Sequence, residues 1–272
     1  VLSIHNLAFQ GIFPQSVLPE LGLAAELGQA GTDLEFYGKV SFLKAGIRSA
    51  DLITTVSPTY SAEIQSDPEL GCGLQGVLLE RKEDLCGILN GVDYGIWNPE
   101  KDALIPVKYS AATLKEKEKN KKALAKEAGF PFDPAVPVVG MISRLTSQKG
   151  FDLVAAAIDD LLKLKIQLVI LGTGDPVYHK QLEKLAKAHP KQVALFLKFD
   201  DTLAHLIEAG SDMFLMPSLY EPCGLNQMYS LKYGTIPIVR KTGGLADTII
   251  DADADPNNGN GFVFAEYKAK AM

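Results

Sequence analysis

The sequence predicts an α/β protein built on mostly parallel sheet. Two observations carry that expectation. From "GFPFDPAVPVVGMISR" onward, short β-branched or apolar runs alternate with stretches whose apolar residues recur at helical spacing. The strand-like runs also hand over to helices through turns rich in glycine and polar residues, as βαβ units do. In such sheets ligands bind beyond the carboxyl ends of the strands.

Taken in order, "VLSI" reads as a strand, "EFYGKVSFLKAGIRSA" as a helix, "DLITTVS" as a strand, "PTYSAEIQS" as a helix and "LCGILNG" as a strand. The Lys- and Glu-rich "SAATLKEKEKNKKALAKEAG" predicts a solvated helix that stops at Gly129, beside a domain junction. Then "VPVVGMIS" is a strand and "QKGFDLVAAAIDDLLKL" a helix. "IQLVILG" is the next strand, and "DPVYHKQLEKLAKAH" a helix with Pro176 suited to its first turn. "VALFLKF", "DMFLMPS", "IPIVR" and "GFVFA" are strands, separated by the helical "DTLAHLIEAG", "GLNQMYSLKYG" and "GGLADTII".

Composition narrows the function. A chain of 272 residues suffices for two modest domains, and 47% hydrophobic with 22% charged residues is ordinary for a globular protein. A net charge of −6 argues against a nucleic-acid partner held by a basic surface. No apolar run approaches the roughly 18 residues of a membrane span, and no signal-peptide pattern opens the chain. Cys72, Cys86 and Cys223 form no CxxC pair, which argues against a disulfide framework or zinc site and for a reducing compartment. The four histidines lack metal-ligand spacing, and there is no P-loop or GxSxG elbow. No metal or cofactor is expected. An opening "VLSI" strand and a closing "AEYKAKAM" suggest a piece of a longer protein.

Four stretches could carry chemistry. "EPCGLNQ" stands where a strand passes to a helix. Unpaired N–H groups at a helix N-terminus suit an anion, and Gly224 admits close approach to that backbone. Glu221 would repel phosphate, so it either accepts hydrogen bonds from sugar hydroxyls or merely caps the helix. "SRLTSQKGFD" places Arg144 after a buried strand and Lys149 before a helix, two cations that suit a diphosphate or serve only as surface charge. "LGTGDP" and "TGGLAD" add glycine-rich turns at two more strand ends, each by itself more often a tight turn than a ligand loop. His5, after "VLSI", is by pattern a structural histidine or a site residue.

Taken together, "IHNLAFQGIFP", "ADLITTVSPTYSAEI", "GILNGVDYGIWNPEKD", "SRLTSQKGFDL", "LGTGDPVYHKQLEKLA", "EPCGLNQMYSLKYGTIPIVRKTGGLADT" and "GFVF" resemble the glycogen and starch synthases that use a nucleotide-glucose donor. The match runs in the family's order over nearly the whole chain. The resemblance implies the GT-B fold, two Rossmann-like domains with parallel sheets facing a cleft. Residues 1–107 would be the later half of an incomplete N-terminal domain, 108–130 a helix and linker, and 131–272 the nucleotide-sugar-binding C-terminal domain without its closing helices. The family's early "KxGGL" loop has no counterpart here.

Residue roles follow by matching motifs. Arg144 and Lys149 correspond to the pair that neutralises the diphosphate leaving group, and Glu221 to the acidic residue at the donor sugar. Gly224 and Leu225 would offer backbone donors, with Asn226 beside them. Cys223, His5, Asn6 and Asn90 match positions lining the glucose pocket, with His5 counted in the catalytic group. Phe199 falls where the family places a ring against the base, although a Phe after "VALFLK" could equally be core. Tyr220 adjoins the same pocket. The implied reaction moves glucose from ADP-glucose to the non-reducing end of an α-1,4-glucan with retention, in a bacterial cytoplasm or a plastid stroma. The alternatives are another retaining GT-B glucosyltransferase of the sucrose-synthase type, or a non-catalytic fragment that binds nucleotide sugar or glucan. "EPCGLNQ" argues against the first, because those relatives commonly carry a second glutamate after the glycine-rich turn.

Overall fold

A computed structural model describes residues 1–272, and the chain divides into two compact units, Val1–Asn90 and Gly91–Met272.

The first unit is built on a three-stranded parallel sheet of order β1-β5-β6, with β1 at Leu2–Ile4, β5 at Ile53–Thr55 and β6 at Leu85–Gly87. Ile4, Ile53 and Leu85 point into one core with Ile47, Tyr60, Ile64, Leu74 and Leu78. Those residues come from the strands and from α2 (Phe42–Ser49), α3 (Pro58–Ser66) and α4 (Gln75–Glu80) or their flanks. Tyr60 is fully buried, and its hydroxyl accepts from the Leu7 N–H. A short helix α1 (Val17–Glu20) lies in the loop after β2 (Ile12–Phe13).

The expected helix over "EFYGKVSFLKAGIRSA" is only half a helix. Its first part is a hairpin of β3 (Glu35–Phe36) and β4 (Lys39–Ser41), and β4 also pairs antiparallel with β2. Tyr37 and Gly38 both have positive φ, 49° and 77°, the geometry that turns a two-residue hairpin. The helix then starts where Ser41 accepts from the Lys44 N–H as its N-cap.

The second unit carries a six-stranded, all-parallel sheet of order β12-β11-β10-β7-β8-β9. Its strands are β7 (Val138–Ile142), β8 (Gln167–Leu171), β9 (Val193–Phe196), β10 (Met213–Met216), β11 (Ile236–Arg240) and β12 (Phe262–Phe264). Alternation explains why these runs are continuously apolar. Val139, Leu168 and Ile170 pack on one face with Phe151, Val154 and Ile158 of α6 (Phe151–Lys163) and Leu182 of α7 (Pro176–Ala188). Val138, Val169 and Leu171 pack on the other with Leu203 and Ile207 of α8 (Asp201–Gly210) and Leu245 of α10 (Gly243–Thr248). With both faces covered, no strand needs a polar side. Between β10 and β11 runs α9 (Asn226–Tyr233).

The Lys- and Glu-rich segment is not solvated all round. A 3₁₀ turn at Ala111–Glu116 leads into α5 (Lys117–Glu127), whose Asn120, Lys121, Leu124 and Ala125 are buried. Lys121 reaches Asp212 at 2.9 Å, and Asn120 exchanges hydrogen bonds with the backbone of Val107. The expected stop holds: Gly129 has φ +71°, and the Phe130 N–H returns to the Ala125 carbonyl.

Candidate active site at the switch point of the second sheet

Strand order fixes where a site can form. The chain runs outward from β7 through β8 to β9, then returns to place β10 on the other side of β7. Connections from β7 and β10 therefore leave in opposite directions and open a crevice between their carboxyl ends. A pocket of about 210 Å³ lies there, lined by Met141–Arg144 at the end of β7, Leu215–Ser218 at the end of β10, and Lys149, Glu221 and Gly224–Asn226. A second pocket of about 270 Å³ shares Ile142, Ser143, Arg144 and Asn226 and continues over the ends of β8 and β9 to Thr173, Lys198 and Phe199.

Charge in the first pocket is arranged around one carboxylate. Glu221 is 5% exposed, and its Oε2 accepts from Lys149 Nζ at 2.6 Å and from Ser218 Oγ at 3.0 Å. Both donors reach the same carboxylate oxygen, Oε2. Glu221 does not cap the helix: the N-cap of α9 is Leu225, and no side chain caps it. The first N–H groups of α9 thus remain available beside the pocket. Asn226, the first residue of α9, anchors the helix by donating from Nδ2 to the Ile142 carbonyl at 2.8 Å.

The loops that carry these groups pack backbone to backbone. Gly150 has φ +74°, and a Cβ there would stand 2.1 Å from the Pro217 carbonyl oxygen. The 147–150 turn and the 217–221 loop can approach only because residue 150 is glycine. Leu219 N–H donates to the Gln148 carbonyl and Gln148 Nε2 to the Tyr220 carbonyl. The glycines of "TGGLAD" have the same purpose: a Cβ on Gly244 would fall 2.2 Å from the Cys223 carbonyl. Those of "LGTG" lie against the Ser143 and Leu145 carbonyls. These turns sit on the expected edge, but their glycines serve contact between loops.

Other residues singled out by the sequence are placed as follows. Phe199 is 90% exposed at the rim of the second pocket, so it is not part of the core. Tyr220 and Cys223 flank Glu221 but line neither pocket; Cys223 is buried. In the first unit, His5 and Asn6 follow β1 and Asn90 follows β6, all at the carboxyl edge of that unit's parallel sheet. His5 is exposed, and Asn6 Oδ1 accepts from the Ala8 N–H. Sequence reasoning missed Ser218 and Arg240, whose guanidinium donates to the Ser218 and Leu219 carbonyls. Neither stands in a motif whose spacing marks it.

The model of the family described as "Glycosyl transferases group 1" matches residues 117–272, more than half of the chain and all of the six-stranded sheet. The chain belongs to the group 1 glycosyl transferases. A second model, "Starch synthase catalytic domain", matches residues 1–80. Among curated relatives of this group 1 glycosyl transferase, the glycogen synthase of Anaeromyxobacter dehalogenans strain 2CP-1 is 51% identical over 272 residues, 100% of this chain and 56% of that protein. Glycogen synthase 1 of Methylococcus capsulatus is 50% identical over 271 residues, 98% of this chain and 55% of that protein. The chain thus spans about half the length of the curated relatives it matches. Among solved structures, the catalytic domain of starch synthase IV from Arabidopsis thaliana, bound to ADP and acarbose, superposes with TM-score 0.92 at 38% identity over 99% of this chain and 56% of that one. Sucrose-phosphate synthase from Thermosynechococcus elongatus shares the fold alone, at TM-score 0.56 and 21% identity. The α/β fold class with parallel sheets, GT-B, is that of these neighbours. No helix is long and apolar enough to cross a membrane.

Proposed function

We propose that the switch-point pocket is the donor site of a retaining glucosyltransferase. In this reading the complete protein moves glucose from ADP-glucose to the non-reducing end of an α-1,4-glucan, in glycogen or starch synthesis, in a cytoplasm or plastid stroma. The observation that carries it is the meeting of Arg144, Lys149, Glu221 and an uncapped helix N-terminus in one pocket, with an exposed aromatic ring at the pocket next to it. The ADP in the starch synthase IV structure supports adenine as the base for this chain as well.

The chemistry follows from where charge develops. The acceptor 4-hydroxyl attacks the anomeric carbon as the bond to the diphosphate breaks, and negative charge grows on the departing oxygens. Arg144, Lys149 and the N–H groups of α9 are fixed donors for that charge. Gly224 and Leu225 bring backbone to the same place, and Asn226 borders both pockets. Glu221 would repel a diphosphate, but Lys149 neutralises it on Oε2, which leaves Oε1 to accept from donor-sugar hydroxyls. Tyr220 and Cys223 support Glu221 from either side. Phe199 stacks on the base. In the first unit, His5, Asn6 and Asn90 take the sugar-contacting roles, supported by their shared place at a carboxyl sheet edge. Glu221 is the one carboxylate lining the first pocket, which argues against a double displacement through a second carboxylate and for a front-face route.

The test is Lys149→Ala in the complete polypeptide that carries this chain. Transition-state charge exceeds ground-state charge, so kcat is expected to fall by about 10²–10³ while KM for ADP-glucose changes less. Part of that loss passes through Glu221, which loses its counter-charge. Lys149→Arg is expected to rescue only partly, because a planar fork does not replace a compact ammonium. A raised KM with unchanged kcat would mean uniform binding only, and the leaving-group role would fail.

A further inference from the structure

We infer that Ser218 is a positioning residue that fixes the orientation of the Glu221 carboxylate toward the donor; this rests on the role proposed for Glu221. Ser218 is 1% exposed, and its hydroxyl has a single hydrogen to give. It gives that hydrogen to Glu221 Oε2 at 3.0 Å. Lys149 Nζ reaches the same oxygen at 2.6 Å. A lysine at the end of a flexible stem can follow either oxygen as the carboxylate rotates, so by itself it does not fix the rotamer. The serine hydroxyl is on a short arm in a fixed backbone, so it holds one carboxylate oxygen in place and thereby fixes the plane of the carboxylate, leaving the other oxygen for the donor.

That backbone is held at every step. Arg240 Nε donates to the Ser218 carbonyl at 2.8 Å, and its Nη2 donates to the Leu219 carbonyl. The Leu219 N–H donates to the Gln148 carbonyl at 2.8 Å, and Gln148 Nε2 donates to the Tyr220 carbonyl at 3.1 Å. Gly150 closes the other side against the Pro217 carbonyl. The loop 217–220 is therefore a rigid mount, and Ser218 is the point at which it grips the carboxylate. Holding a reacting group within a fraction of an ångström matters, since a shift of about 1 Å can cost on the order of 100-fold in rate.

A double-mutant cycle in the complete polypeptide tests this, with turnover of ADP-glucose onto glycogen, ADP affinity and Tm measured for each variant. Ser218→Ala is expected to lower kcat by about 10- to 100-fold with ADP affinity unchanged, and Ser218→Thr, which keeps the hydroxyl, to recover much of the loss. On a Glu221→Gln background, Ser218→Ala is expected to cost nothing further, because a residue that acts through Glu221 has nothing left to position. If the two losses multiply, or if ADP affinity and Tm fall together with kcat, Ser218 is a packing residue and the inference is overturned. If Glu221→Gln leaves kcat unchanged, the role of Glu221 itself fails, and that of Ser218 with it. If Glu221→Gln is impaired and Ser218→Ala is not, only the inference about Ser218 fails.

Discussion

Glu208 shows what burial does to a carboxyl group with half of its hydrogen-bonding satisfied. It is fully buried on α8; Oε2 accepts from Ser230 Oγ at 2.7 Å, while Oε1 has no partner. Burial pushes it up to about 8, with the Ser230 hydroxyl and Lys117 pulling the other way. Lys117 Nζ donates to the Glu208 and Ala209 carbonyls and to Thr235 Oγ1, closing the C-terminal end of α8. A carboxyl whose folded value lies above its ordinary 4.5 contributes its full stability below that value and loses it as pH rises through about 8. Glu208→Gln does not titrate. Relative to the variant, the natural chain is therefore expected to lose stability between about pH 5 and 8, on the order of 1 kcal/mol per pH unit within the window. Urea titrations of both proteins at pH 5, 6.5 and 8 check this. Parallel curves at all three would show that Glu208 ionises as freely when folded as when unfolded.

Among elements, the turn before α6 and the start of α9 decide the geometry of the pocket. Gly150 pays for two things that alanine cannot supply: a φ of +74° and a carbonyl 2.1 Å from where a Cβ would be. Gly129 has nearly the same φ, +71°, but nothing within 4 Å of its Cβ position, so it is an internal control. Gly129→Ala is expected to cost about 1–2 kcal/mol, the strain of left-handed backbone alone. Gly150→Ala is expected to cost more and to weaken ADP binding as well, because the Lys149 turn must move away from the Glu221 loop. Equal costs, with ADP affinity intact in both, would show that the two loops are not mutually fitted. This contact was not legible in the sequence, where Gly150 reads simply as a helix start. What could be read was periodicity: all six strands of the second sheet and the helices between them follow from apolar spacing. The hairpin at 35–41 escaped because its two strands are only 2 and 3 residues long and its turn is Tyr37-Gly38, not Asn-Gly. The buried face of α5 escaped because Asn120 and Lys121 look like surface residues until Val107 and Asp212 are seen to receive them.

At the scale of the whole molecule, both units place their candidate residues by one rule, the carboxyl edge of a parallel sheet. That rule can be read from alternation alone. Which edge residues converge depends on strand order, and order is set by crossover connections that no local pattern encodes. Hence Arg144, Lys149, Glu221 and Asn226 come together at the crevice between β7 and β10, while Tyr220 and Cys223, one and two residues from Glu221, are not among the residues that line it. Phe199 reaches the neighbouring pocket from β9, two strands from β7. The central claim is that this crevice binds the nucleotide diphosphate. Its most direct test is calorimetric titration of ADP into the 272-residue chain and into its Arg144→Ala and Phe199→Ala variants. One ADP is expected to bind per chain. Phe199→Ala is expected to weaken binding by about 1–3 kcal/mol, the range for a base on an aromatic ring, with Tm unchanged because the ring is 90% exposed. Arg144→Ala is expected to weaken it through loss of a cation at the diphosphate. No binding by the natural chain, or equal affinity in all three proteins, would contradict the assignment of the crevice as the donor site.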